Sequence, residues 1–317
     1  MTANMPGLEP TIPVGDPDVV LPAEERGTAR RGRRLGRRRI YLRRFLRNRG
    51  AVAGVVILTL LVLFALVGGL FTKYAYGDVD FTSLAEAPTP EHVFGTNSAG
   101  NDTYAQAVHG LQRSLVIAIT VSLLTTVISA VVGCTAAYFG GHVEQTVLGI
   151  VHFLLVVPSF LILALVSQHA GGDWRALIVV LTVFGWMYNA RVIWSLATSL
   201  REREYVLAAR FMGVGPFRIV FRHLIPNIGS LLIITFTIGV VATVQGETAL
   251  SFIGFGVQPP DVSLGTMLSD GATTVTSAPW LFYAPAALVT LLTVSMALIG
   301  DGLRDALDPT SRSGGRA

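Results

Sequence analysis

Long apolar runs alternate with short basic or glycine-rich segments along this chain, and the length of the runs sets the first constraint. A hydrocarbon core of roughly 30 Å is crossed by about 20 apolar residues in helix, at about 1.5 Å each. Runs at 51–71, 114–139, 145–168, 176–194, 228–246 and 282–299 meet that length. They predict an all-α membrane protein with six transmembrane helices, because backbone in lipid must satisfy its polar groups internally. Pro158 predicts a kink in the third.

Between the fourth and fifth runs the pattern changes. Glu204-Tyr-Val-Leu-Ala-Ala-Arg-Phe-Met-Gly213 is followed by a basic segment that ends in Pro226 and Asn227. Tyr205, Ala208, Ala209 and Met212 recur at helical spacing, predicting one small, apolar stripe with Arg203 and Arg210 directed away from it. The two alanines would let another surface come close. Gly213 suits the end of this helix, Pro216 the first turn of a second, and Pro226 its end before the fifth span. The segment predicts helix, turn, helix, too polar to cross a membrane and shaped to be held by another protein.

Composition agrees with lipid as the main solvent. Of 317 residues, 51% are hydrophobic and 14% charged, well below the charged quarter of an ordinary soluble domain. Charge then sets the expected orientation. Of 24 Lys and Arg, 12 lie between Arg26 and Arg49, and Arg201, Arg203, Arg210, Arg218 and Arg222 crowd the 195–227 loop. The positive-inside rule places both termini and that loop in the cytoplasm, with 72–112 and 251–281 outside. A first span so far along the chain predicts a retained anchor and not a cleaved signal peptide.

Residues 1–36 predict a disordered basic tail. Over 37–50, Tyr41, Leu42, Phe45 and Leu46 recur among arginines and predict a helix lying on the inner membrane surface. A basic run joined to a span is first a topology signal, so the lipid bilayer is an expected partner and nucleic acid is not. The six-span region is expected over 51–309 and a short cytoplasmic tail over 310–317. Segment 72–112 predicts a compact, turn-rich excursion, and 251–281, broken by Gly and Pro, predicts a re-entrant stretch at the outer face.

Polar groups at membrane depth are costly and tend to face a cavity or a partner. Gln245, Glu247, Ser251 and Phe252 are therefore candidates for lining or bracing a translocation path, with the equal alternative that Glu247 pairs with a neighbouring helix end. Arg191 is expected to snorkel to the cytoplasmic surface, and His152 and Cys134 to pack inside spans. A single cysteine excludes an intrachain disulfide and a cysteine metal cage, and the histidines show no metal-ligand spacing. No catalytic constellation stands out, so an enzyme is not expected. Nor does the chain carry a nucleotide loop: its one lysine, Lys73, lacks the preceding glycines and is followed by Tyr74.

The 204–227 segment resembles the inner-loop signature of ABC-importer permease subunits, matched by Ala208, Ala209, Gly213 and Pro226. That signature in its widest form has Glu just before the alanines, where this chain has Leu207, with Glu204 one turn earlier. The details are similar to the dipeptide, oligopeptide and nickel branch. His92-Val-Phe-Gly-Thr96 with Gly100-Asn-Asp102, and Glu247 through Pro260, agree with that branch, although Asn97 and Asn101 stand where it usually has Asp and Arg. The resemblance covers about 43–309 and is strongest to the second permease of a dipeptide importer. It implies a type I importer membrane domain and no cofactor on this chain. ATP and Mg²⁺ would sit on two partner ATPase domains, alongside a homologous second permease and an external substrate-binding protein. The ATPases would grip Glu204, Tyr205, Ala208, Ala209, Arg210 and Gly213, with Arg218, Arg222, His223, Pro226 and Asn227 in the same loop. Nickel complexes or haem are alternative cargoes within the resemblance. A self-sufficient secondary transporter is the alternative class, but the repeated halves it usually shows are not seen.

Overall fold

The computed structural model describes residues 37–169 and 171–307. The predicted tails at 1–36 and 310–317 lie outside the described residues. Helix α1 (Arg37–Arg47) stops at Asn48, whose side-chain oxygen accepts the Ala51 amide at 3.1 Å and starts α2 (Arg49–Val67). The predicted 37–50 helix is thus divided by a cap. A tight turn over Gly68–Phe71 closes α2.

Helix α3 (Thr103–Phe139) begins well before the predicted start at 114, with Asp102 accepting the Ala105 amide at 2.7 Å. Its first turns are too polar to form an apolar run. Ala105, Ala107, Val108 and Leu111 are nonetheless buried, so protein packing holds them and not lipid. At 37 residues, about 55 Å, α3 is longer than one bilayer crossing.

The predicted third span divides into α4 (Gly141–Val156) and α5 (Ser159–His169), with a 74° bend between them. Pro158 cannot donate to the helix ladder and pushes Val157 into extended backbone, which produces a break sharper than a kink. Next come α6 (Trp174–Gly185) and α7 (Met187–Arg201), interrupted only at Trp186 and longer than the predicted 176–194. The polar loop follows as α8 (Glu204–Phe211), α9 (Pro216–Ile219) and α10 (Ile225–Asn227). Helix α11 (Gly229–Phe252) runs past the predicted end at 246, α12 (Leu264–Thr273) occupies the predicted re-entrant segment, and α13 (Trp280–Leu307) exceeds 282–299 at both ends. Among the described residues five helices are long and apolar enough to cross a membrane, and six crossings result if the bent α4–α5 pair counts as one.

Helix α3 is the central post, packed on α6, α7 and α11. Close approach depends on glycine: a Cβ at Gly133 would lie 2.7 Å from the Ala190 carbonyl and 2.9 Å from the Ile193 side chain. Small residues let helices meet backbone to backbone where apolar burial gives no preference over lipid. Cys134 is fully buried at the same contact, as expected of a packing residue. His152, also expected to pack, is exposed on α4, because the break at Pro158 leaves that helix with one buried residue, Val151.

One end of the bundle collects α1, α8 to α10 and the end of α13. There Asn48 donates to Asp305 at 3.0 Å. The opposite end collects the 72–112 excursion and α12. In the excursion Asn97 is a hub: its oxygen accepts the Ala99 and Asn101 amides at 2.9 Å each, and its nitrogen donates to Asn101 and Gln106. The two asparagines that depart from the importer pattern therefore build this turn themselves. His92, fully buried, bonds Asp102 at 2.8 Å and stacks on Tyr74.

Candidate functional site

Helix α8 rests on the bundle through Val206 and Ala209, 1% and 3% exposed, packed with Ile219, Val220, Leu224 and Ile228. Glu204 in its first turn and Arg210 in its last complement the helix dipole. The helix ends in a Schellman motif: Val214 donates to the Ala209 carbonyl at 3.1 Å and Gly213 to that of Arg210 at 3.0 Å. Gly213 sits at φ +76°, which glycine adopts without strain. Pro216 opens α9, as its fixed φ favours.

The predicted stripe is split. Ala209 faces this chain's own core, while Tyr205, Ala208 and Met212 are exposed, because adjacent alanines stand about 100° apart on the helix. Pro226 does not end the second helix. A wide turn over Val220–Leu224, in which the Ile225 amide reaches back to the Val220 carbonyl, brings Pro226 into the first turn of α10, where it needs no amide hydrogen. Asn227 donates to the His223 carbonyl at 2.6 Å, so its side chain serves the local backbone. His223 lies against Tyr205, with ring centroids 6.4 Å apart.

This packing leaves large apolar and charged side chains of the same hairpin exposed together. Phe211 is 86% exposed and Met212 76% at the end of α8, and Phe217, whose ring meets that of Phe139 edge-on at 6.0 Å, and Phe221 are also exposed in the segment that follows. Glu204, Arg210, Arg218 and Arg222 are exposed in the same segment. Sequence reading missed the three phenylalanines. Their signal was the i, i+4 pair Phe217 and Phe221 in a segment otherwise rich in arginine. Large exposed apolar groups in a segment otherwise this polar are costly to leave in water.

At the opposite end the four candidate path residues separate. Gln245 and Phe252 are exposed on α11, whereas Ser251 and Glu247 are buried. Glu247 accepts hydrogen bonds from Ser251 at 2.9 Å and from Ser263 at 2.5 Å. Ser263 caps α12, so Glu247 meets a neighbouring helix end. Gly265 makes room for it: a Cβ there would lie 2.7 Å from one carboxyl oxygen. Arg191, on α7, is exposed.

Residues 129–313, which include the whole α8–α11 segment, match a family described as binding-protein-dependent transport system inner membrane component. The chain belongs to this permease family. Residues 37–88 match the N-terminal transmembrane domain of oligopeptide transport permease C. Among the permease's relatives, the oligopeptide transport system permease protein OppC of Mycobacterium bovis is 46% identical over 279 residues, covering 87% of this chain and 96% of that protein. OppC of Bacillus subtilis is 32% identical over 269 residues, 85% of this chain and 88% of that protein. The dipeptide transport system permease protein DppC of Bacillus subtilis is 34% identical over 272 residues, 85% of each chain. This permease is an ABC importer membrane component, a non-catalytic multi-pass protein of the bacterial inner membrane.

The permease has a cavity of about 660 Å³ at the end that holds α12, bordered by Asn97, Asn101, Gln106, Gln258, Asp261 and Asp270 among others. One wall is tied down by Asp261, which meets His109 at 2.5 Å and Arg113 at 2.7 Å. Arg113 lies over the Trp174 ring and His109 stacks on Tyr76. Burial alone would raise the Asp261 carboxyl, but the bonds from His109, Arg113 and the Val262 amide outweigh it and hold the group below the usual carboxylate range. A lowered folded pKa contributes stability above the ordinary carboxylate value, roughly 3.9, and loses it as pH falls through the folded value. Asp261→Asn is therefore expected to loosen 254–262 at neutral pH, read as faster amide exchange, while the unaltered permease loosens there only in acid below about pH 4. Equal exchange in both proteins at neutral pH would show that Asp261 does not hold the wall.

Proposed function

We propose that this permease forms half of the translocation pathway of an ATP-driven importer for di- or oligopeptides, paired with a homologous second permease. Two ATPase domains, carrying ATP and Mg²⁺, would grip α8 and the 216–227 segment from the cytoplasm. An external binding protein would deliver cargo at the end that holds the 660 Å³ cavity. Residues 195–227 act as the coupling loop and both termini are cytoplasmic, in keeping with the basic residues gathered at that end.

The observation that carries this reading is the exposure of Phe211, Met212, Phe217 and Phe221 on a hairpin whose Val206, Ala209, Ile219, Val220 and Leu224 are locked into the bundle. A surface rigid on one side and apolar on the other can receive force from a partner without first paying to order itself. Peptide as cargo is supported by the names of the relatives, which span oligopeptide and dipeptide systems.

The test uses the assembled transporter. Gly213→Pro cannot adopt φ +76° and loses the amide bond to Arg210, so it changes the hairpin's turn while leaving the spans alone. Membrane insertion is expected to persist and ATP hydrolysis to continue without uptake of a labelled dipeptide. Normal uptake would remove the coupling role. Uptake of nickel complexes or haem with no peptide transport would reassign the cargo.

A further inference from the structure

Helix α1, expected from its sequence to lie on the inner membrane surface, divides its apolar arc between the bundle and the outside. At 100° per residue, Tyr41, Phe45, Leu42 and Leu46 form one continuous arc and Arg43 and Arg47 stand opposite. Phe45 turns toward the bundle, where its ring is 3.3 Å from the place a Cβ would occupy at Gly302 of α13. Leu42 and Leu46 are 58% and 59% exposed. Arg43, Arg47 and Arg49 are exposed beside them.

The position of this helix gives the face its meaning. Only Asn48 separates α1 from the apolar span α2, and the same residue is bonded to Asp305 near the end of α13. The helix therefore lies where two spans leave the hydrocarbon. A helix there that keeps leucines on one arc and arginines on the other sinks its leucines among acyl chains and holds its guanidinium groups at phosphate depth. Guanidinium offers phosphate oxygens a planar pair of donors, a match that a zwitterionic headgroup partly cancels with its own cation.

We infer that α1 is a binding surface for anionic phospholipid, with Arg43, Arg47 and Arg49 on the headgroup phosphates and Leu42 and Leu46 in the acyl layer. Opposite charge selects the lipid, and the exposed leucines distinguish a bilayer from a soluble anion, which has no use for them. Because Phe45 and Asn48 bind α1 to α13 and α2, lipid charge is felt by that helix pair. The inference does not depend on the cargo.

The complete transporter carrying Leu42→Trp, reconstituted in vesicles, tests it. Brominated phosphatidylglycerol is expected to quench the added tryptophan several-fold more than brominated phosphatidylcholine at equal mole fraction, after subtraction of the four native tryptophans measured without the substitution. Adding R43Q and R47Q should bring the ratio of quenching by the two lipids close to one at low salt, and R43K with R47K should largely retain the preference. Amide exchange at 300–307 should slow in anionic vesicles for the unaltered chain and not for the glutamine variant. Equal quenching by the two lipids overturns the inference, as does a preference that survives R43Q with R47Q, is displaced by millimolar inorganic phosphate, or exists only when the ATPase subunits are bound.

Discussion

Replacing Phe211 with glutamate is expected to cut ATP-driven uptake by roughly thirtyfold while the amount of permease in the membrane hardly changes. The side chain is 86% exposed, so its loss is expected to leave the fold intact. An aromatic anchor buried by a partner is commonly worth about 2 kcal/mol or more, and an acidic group in its place leaves a charge in an apolar contact. Ala209→Glu supplies the contrast. Ala209 is 3% exposed against Ile219 and Val220, so a carboxylate there is expected to dislodge α8 and reduce the folded permease itself. Uptake, ATPase copurification and membrane abundance measured on both variants separate the two effects. Normal transport by Phe211→Glu would end the docking assignment.

Glu247→Ala is the second large effect. It removes the acceptor of Ser251 and Ser263 and empties space against Gly265, so α12 loses its tie to α11. Ser263 keeps the Thr266 amide, but a stranded Ser251 hydroxyl and a cavity cost about 2 to 5 kcal/mol, enough to lower the detergent melting temperature of the permease by several degrees. Glu247→Gln keeps an oxygen for both serines and is expected to stay near the stability of the unaltered chain. If Gln at this position instead abolishes transport with stability unchanged, Glu247 acts on cargo and not on helix placement.

The sequence-level signals were strongest where one physical force acts alone. Long apolar runs, unsuited to water, mark the spans, and Gly213 and Pro216 mark turns whose backbone angles few residues accept. Signals weakened wherever two forces overlap. The first turns of α3 are too polar for a hydropathy window yet are buried by neighbours, so their start was legible only in Asp102 as a cap. Equal spacing of Ala208 and Ala209 with Tyr205 and Met212 could not say which alanine faces inward, since the deciding surface, Val220 with Leu224, arrives from a later segment and is set by a wide turn that no local pattern announces. Ser251 stands one helical turn from Glu247, but Ser263 is 16 residues from Glu247 and His109 is 152 from Asp261, separations at which spacing carries no information.

From Pro216 to Phe252 the chain is helical almost without interruption, through α9, the wide turn, α10 and α11. Such a rod would be about 55 Å long if straight. Its lower end carries the aromatic grip and its upper end the carboxyl that holds α12. A displacement imposed at the Pro216 end would therefore have a nearly unbroken backbone ladder to run along before it met Glu247 and the cap of α12, with departures from α geometry at Val220–Leu224 and Ile228.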